Sequence, residues 1–309
     1  MIIVCGEALI DCLPASCEGS EGFVPHVGGS PFNVAVGLAR LDSDVGYLGR
    51  LSTDPFGDLL AARLEADGVD LAHAARTTAP SPLALVHLDE DGVAQYSFHL
   101  AGSATTELAL DDLPDPLPEE VRAVHTGSLA LLLEPGRDAV AALLERASAR
   151  GRLTTLDPNV RPTFISDREA YLDDLDRWLA VTDVVKVSDE DLAWVHPDAD
   201  PVEVARTWLG RGPVLAVVTR GGQGAVAVTA DGRTVEVEGV AVDVVDTVGA
   251  GDSFTSGLLA WLDEADALHR DAVAALDDED LASAVRFAAR VAAVTCTRAG
   301  ADPPGRADL

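Results

Sequence analysis

An α/β sandwich built on a largely parallel sheet is the fold this chain predicts, and three observations predict it. Apolar runs rich in β-branched residues alternate with amphipathic stretches for most of the length, the pattern of repeated strand–helix units. The 309 residues are 48% hydrophobic but only 5% aromatic, enough to bury a substantial core in one large domain or two modest ones. No internal repeat or long low-complexity segment interrupts the alternation, and the Pro- and acid-rich connector at 111–120 is too short to mark a boundary. A single domain over 1–309 is therefore expected.

The elements follow in order. Ile2 to Cys5 reads as a first strand running into Gly6-Glu7. Ser30-Pro31 then opens a helix over Phe32 to Leu41, with Ser30 as cap and Pro31 in the first turn, and Val45 to Leu48 is the next strand. Leu83 to His99 alternates apolar and polar residues around Asp91-Gly92, the signal of a β-hairpin. Such a hairpin does not easily join a parallel sheet. Residues about 83–100 are therefore expected to form a small β flap with residues about 12–26, suited to closing over a ligand. Further strands are expected at Leu153 to Leu156, Val214 to Val218, Ala225 to Thr229 and Val240 to Val245, and helices over Ser253 to Leu262 and Leu281 to Thr295. The 111–120 connector and the polar tail from Ala301 to Leu309 read as peripheral.

Composition narrows the function. The first residues lack a basic flank and a long apolar region, and no apolar stretch is long enough to span a bilayer, so no signal peptide or membrane span is expected. Four cysteines (Cys5, Cys12, Cys17, Cys296) form no Cys-x-x-Cys pair; reduced structural thiols in a cytoplasmic chain are expected rather than disulfides or a zinc cluster. The net charge of −30 repels nucleic acid and anionic membranes, so any phosphate site must be made locally. Lys186 is the only lysine and lies in Val-Val-Lys-Val-Ser, which rules out a Walker A loop and the protein-kinase set of motifs. His87, His99 and His125 have no metal-ligand spacing and read as structural or surface residues.

The strongest chemical feature is Asp246-Thr-Val-Gly-Ala-Gly-Asp252, between a strand-like and a helix-like segment. Small residues at a helix start let the backbone approach a ligand, and the free N–H groups of the first turn hold a phosphate without any lysine. Asp252, at the end of that loop, is placed to accept the proton of an attacking hydroxyl while the amides of Gly249, Ala250 and Gly251 stabilise a transferred phosphoryl group. An isolated Gly-x-Gly-Asp would be better read as a helix cap on a tight turn; the longer motif favours chemistry. Gly222-x-Gly224-x-x-Ala227 is not a dinucleotide fingerprint, because a strand rather than a helix follows it.

This loop resembles the C-terminal signature of the PfkB family of carbohydrate kinases, the ribokinase-like group. Gly28-Gly29-Ser30-Pro31-Phe32-Asn33 resembles the family's N-terminal signature, although an ordinary glycine turn with a helix cap would explain those residues too. Gly6-Glu7-Ala8-Leu9-Ile10-Asp11, Asp157-Pro-Asn-Val-Arg161, Ser188-Asp-Glu-Asp191 and Thr219-Arg-Gly-Gly-Gln-Gly224 match in the right order, so the resemblance covers essentially the whole chain. It implies a ribokinase-like three-layer α/β/α sandwich with a small β-sheet lid, and an ATP- and Mg2+-dependent kinase.

The resemblance also implies roles. Asp11, Gly28, Gly29, Asn33 and Arg161 would bind the acceptor sugar; Ser188, Thr219, Gly221, Gly222, Gly224 and Gly251 would bind ATP, beside the helix over Leu281 to Thr295. Ser188 stands where the family's Asn-x-x-Glu motif has Asn, and Asp191 where it has Glu. The acidic function survives one methylene shorter, and Asp191 would organise magnesium through water. Asp246 would join loop carbonyls around a monovalent cation such as K+, though a carboxylate tied to loop amides would account for it equally well. Gly127-Ser-Leu-Ala-Leu131, with Gly6-Glu-Ala-Leu-Ile-Asp11 and Asp157-Pro-Asn-Val-Arg161, points to the fructokinase-like branch and to fructose; ribose, 2-keto-3-deoxygluconate and nucleosides are the alternative acceptors. A noncatalytic sugar or nucleotide sensor is the rival of a different class, disfavoured by the intact base and glycines. A homodimer through the lid is expected from the exposed-looking hairpin.

Overall fold

The computed structural model describes residues 1–17, 20–88 and 94–309; the Asp91-Gly92 turn lies outside them. The strands are β1 (Ile2–Cys5), β2 (Leu9–Cys17), β3 (Ser20–Gly28), β4 (Val45–Ser52), β5 (Ala74–Thr77), β6 (Leu83–Leu88), β7 (Ala94–His99), β8 (Ala123–Gly127), β9 (Leu153–Asp157), β10 (Val184–Ser188), β11 (Leu215–Thr219), β12 (Ala225–Thr229) and β13 (Thr234–Val237). The helices are α1 (Ser30–Arg40), α2 (Pro55–Ala66), α3 (Gly136–Ala149), α4 (Arg168–Ala180), α5 (Asp189–Val195), α6 (Pro201–Leu209), α7 (Ala250–Glu264), α8 (Arg270–Ala275) and α9 (Asp278–Cys296).

A nine-stranded sheet runs in the order β13-β12-β11-β10-β9-β8-β1-β4-β5. Pairing is parallel from β5 through to β11, and β11-β12-β13 closes the other edge antiparallel. Both faces are covered, which is why the strands read as near-continuous apolar runs. Alternation sorts β1 cleanly: Ile2 and Val4 pack with α1, α2, α7, α8 and α9, while Ile3 and Cys5 pack with α3 to α6. The result is the three-layer α/β/α sandwich. β1 is flanked by β4 on one side and β8 on the other, so the loops leaving β1 and β8 diverge and open a crevice at the C-terminal edge of the sheet.

A second sheet of four strands has the order β3-β2-β6-β7. It is the flap expected from the hairpin at 83–99, with its partner hairpin reaching from Leu9 to Gly28. The edge-to-face contact of Phe98 on β7 with Phe164, whose ring centroids lie 5.0 Å apart, ties this sheet to the loop after β9.

Three local expectations are corrected. Ser30 is not the helix cap: Gly29 occupies that position at φ 110°, and the Ser30 hydroxyl turns instead to a carboxylate 222 residues away. Val240 to Val245 forms no strand. Its Val245 amide donates to the Cys296 carbonyl at 2.8 Å instead of to a strand, and Val244 and Val245 are 63% and 65% exposed. The C-terminal tail is not peripheral either. Pro303 and Pro304 are buried, Arg40 Nη1 donates to Asp302 Oδ1 at 2.7 Å and to the Pro303 carbonyl at 2.5 Å, and Arg306 Nε donates to the Leu41 carbonyl. No helix among the described residues is long and apolar enough to cross a membrane.

Small residues let the helices around the crevice approach closely. A Cβ at Gly37 of α1 would stand 2.4 Å from Ser256 Oγ of α7, and one at Gly257 would stand 2.8 Å from the Ala288 Cα of α9. Gly257→Val is therefore expected to destabilise the protein by about 1–3 kcal/mol through overpacking, read as a lowered denaturation midpoint at unchanged m-value.

Candidate active site

An open cleft of about 1060 Å³ lies between the C-terminal edge of the large sheet and the inner face of the small one, generous for small-molecule ligands. The small sheet contributes Asp11, Val86 and Phe98; α1 contributes Ser30 and Asn33; the loop after β9 contributes Arg161; the far wall is 246–252.

Gly249 caps α7 in the left-handed region at φ 76°, with Ala301 packed where a side chain would go. The amides of Gly249, Gly251 and Asp252 donate to no group among the described residues, whereas the Ala250 amide turns back to the Thr247 carbonyl at 3.2 Å. These open donors at a helix N-terminus form an anion cradle. Asp252 sits in the same turn, only 8% exposed. Its Oδ1 accepts from Ser30 Oγ at 2.7 Å and its Oδ2 from Asn33 Nδ2 at 2.8 Å. Burial pushes its carboxyl above the usual range, against those two hydrogen bonds.

Asp11 faces Asp252 from β2, and its carboxyl is pushed up to about 6 by burial and by Asp252. Gly28 makes room for it, since a Cβ there would stand 2.6 Å from Asp11 Oδ2; a Cβ at Gly29 would stand 2.7 Å from the Glu7 carbonyl. Both glycines thus clear space for the site's walls. Arg161 lines the cleft and makes no ion pair among the described residues, its Nη1 donating only to the Val160 carbonyl at 3.2 Å. Its guanidinium remains available to a ligand.

Ser188 caps α5 by accepting from the Asp191 amide at 3.0 Å. Asp191 Oδ1 accepts from the Val160 amide at 3.0 Å, tying α5 to the loop that carries Arg161; its neighbour Glu190 reaches the cleft wall. Thr219 is the register partner of Ser188 on β11. Gly221 and Gly224, at φ 50° and 95°, shape the turn to β12, and Gly222 is exposed between them. This turn continues the same sheet edge beyond the cleft. Asp246 Oδ1 accepts from the Val248 amide at 3.0 Å and Oδ2 from the Gly300 amide at 2.8 Å, which joins the cradle loop to the C-terminal segment.

Two buried charges at the site escaped sequence reasoning. Glu7, 1% exposed at the mouth of β1, accepts from the Ala130 amide at 3.0 Å, bridging the two loops that diverge from the sheet. Burial pushes its carboxyl up to about 7, opposed by hydrogen bonds, including one with Ser128, and by Arg161. Lys186 lies on the cleft floor, paired with Asp157. Its uniqueness in so acidic a chain was the available signal. His125, buried in the central strand β8, has its pKa pushed down to about 4 by desolvation, and its Nδ1 lies 2.9 Å from Thr155 Oγ1.

The chain matches the family described as pfkB family carbohydrate kinase over residues 1–307. A fructokinase of Rhizobium leguminosarum bv. trifolii is 41% identical over 91% of this chain and 85% of that protein. The crystal structure of a fructokinase with bound ATP from Xylella fastidiosa aligns with a TM-score of 0.89 at 31% identity, covering 97% of this chain and 93% of that one. A double-mutant fructokinase from Vibrio cholerae O395, in a form with fructose, ADP and potassium bound, aligns at 0.85 and 28% identity over 99% and 96%.

The raised carboxyl of Glu7 makes stability depend on pH. Its folded value near 7 exceeds its ordinary 4.5, so the native state binds the extra proton between those values. Its contribution is full below about 4.5 and is lost as pH rises through 7. Glu7→Gln should remove this dependence, gaining on wild type by roughly 3 kcal/mol between pH 5 and 8 at most. Ligand-free denaturant unfolding at several pH values reads this directly; a difference that stays constant with pH would contradict it.

Proposed function

The chain belongs to the pfkB family of carbohydrate kinases, and from this we propose that it transfers the γ-phosphoryl group of ATP to a primary hydroxyl of a monosaccharide, with fructose as the preferred acceptor. The observation that carries the reading is the joining of a buried carboxylate, Asp252, to a helix N-terminus with open amides.

Asp252 takes the acceptor's proton as its oxygen forms the new bond to phosphorus, and the bond from phosphorus to the leaving oxygen of ADP breaks. The amides of Gly249 and Gly251, with the α7 dipole, carry the charge of the transferred group; Ala250 shapes the turn that exposes them. The hydrogen bonds from Ser30 and Asn33 keep Asp252 aimed and ionised. Asp11, Asn33 and Arg161 hold acceptor hydroxyls, with Gly28 and Gly29 leaving them room. ATP extends along the sheet edge past Ser188, Thr219, Gly221, Gly222 and Gly224. Closure of the small sheet excludes water, whose attack on ATP would compete.

The carboxylate oxygens of Asp191 and Asp246 are hard donors, suited to cations held mainly by phosphate and water. Asp191 would hold magnesium through water, and Asp246 a potassium ion beside the cradle. Magnesium, when bound, neutralises charge on the phosphates. We place the protein in the cytoplasm, where ATP is available. The outer strand β3, with Phe23 53% and Val24 45% exposed, is the proposed homodimer contact.

The test is a panel of fructose, ribose, 2-keto-3-deoxygluconate and adenosine with magnesium-ATP, run beside Asp252→Asn. Fructose should give the highest kcat/KM, and the variant should lose about 10²- to 10⁴-fold in kcat. Undiminished activity in the variant would remove Asp252 as base, and preference for another acceptor would reassign the sugar.

A further inference from the structure

Beneath the first turn of α7 lies an ion pair that the reaction scheme does not use. Lys186 Nζ on β10 donates to Asp157 Oδ2 at the end of β9, 2.7 Å away, and the two side chains are 7% and 3% exposed. Removing two charges from water is costly, and an apolar pair of similar volume commonly serves stability as well. The place the pair occupies points to a different role. A Cβ at Gly251 would stand 3.1 Å from Lys186 Nζ, so Gly251, whose φ is ordinary for a helix, lacks a side chain where the ammonium lies. The Thr255 hydroxyl lies 3.2 Å from the Gly251 carbonyl and 3.5 Å from Asp157 Oδ2, linking the pair to the same helical turn. Lys186 and Asp252 line one cleft.

We infer that Lys186 is a positioning residue of the phosphoryl transfer: paired with Asp157 beneath Gly251, it offsets the Asp157 charge in the field that reaches the Asp252 carboxylate. The inference rests on Asp252 being the base. Asp252 is faced by Ser30 and Asn33 of α1, Asp11 of β2, Asp157 of β9 and Lys186 of β10. Farther round stand Glu7 after β1, Arg161 after β9, Asp191 of α5, Asp246 before α7 and neutral His125 of β8. Burial pushes the Asp252 carboxyl up; Asn33 and Ser30 pull it down, Asp157 adds to the rise and Lys186 opposes it. Lys186 itself stays charged despite burial, because Asp157 first, and then Asp252 and Asp191, favour its proton. Asp11, the other carboxylate at this spot, is raised by burial and by Asp252.

The charges make a signed prediction for the acidic limb of kcat/KM against pH. Lys186→Met leaves the Asp157 charge unbalanced and should move the limb up by about one pH unit. Asp157→Asn leaves the ammonium unbalanced and should move it down, and the double variant should return it close to wild type. A pair that only packs the core would lower activity by one factor at every pH and leave the limb in place in all three, which overturns the inference. Should Lys186→Met not fold, the downward shift in Asp157→Asn and the restored limb of the double variant decide the matter. Asp252→Asn separates the two readings: full activity there sinks the base assignment, whereas loss of activity there with unmoved limbs in the other variants sinks only the role of Lys186.

Discussion

The buried carboxylate of Asp252 is the constraint on which the rest of the structure turns. A desolvated charge persists only with partners, and its partners Ser30 and Asn33 come from the opposite end of the chain. Their meeting requires α1 and α7 to lie side by side with both N-termini at the crevice. That in turn requires the glycine at 37 and the serine at 256, whose hydroxyl accompanies the Val34 and Asp252 carbonyls at 3.1 and 2.9 Å. The switch of strand order at β1 supplies the crevice. Helix packing, sheet topology and the buried carboxylate are consequences of one another.

Electrostatic economy runs through the site. The protein carries −30 overall, yet it must seat a polyanion beside Asp11, Asp157, Asp191, Asp252 and Glu7. Backbone amides answer much of this demand, because a helix N-terminus offers positive potential without a titratable group. Lys186, Arg63 and Arg161 supply side-chain cations to the cleft, Lys186 and Arg63 paired with Asp157 and Asp67 and Arg161 free of any ion pair among the described residues. The C-terminal segment holds the cradle from behind: Gly300 binds Asp246, Ala301 fills the space beside Gly249, and Asp302 engages Arg40 of α1. One short stretch thereby braces both helices of the site.

Much of this was legible beforehand because it depends on local rules. Periodicity located β1, β9, β11, β12, α7 and α9; the hairpin signal located β6 and β7; and the glycine pattern located the cradle. Readings failed where local rules compete with distant partners. Ser30 is a good cap by type, but Asp252 is a stronger partner for its hydroxyl. Val240 to Val245 has strand composition, but its Val245 amide is taken by the carbonyl of Cys296 at the end of α9, and composition does not report pairing. The tail looked like a loop because its anchors, Arg40 and Arg306, act across more than 260 residues of chain.

By itself, the sequence determined the layered α/β class and the presence of a small separate sheet, and it marked the loop at 246–252 as the candidate site, since hydrophobic period and glycine placement are properties of neighbouring residues. Only the tertiary structure decided that Ser30 and Asn33 hold the Asp252 carboxylate, that Glu7 bridges the diverging loops, and that the lone lysine pairs with Asp157 beneath Gly251. Those are facts of desolvation and charge between distant segments, and desolvation does not exist until the chain has closed around the group.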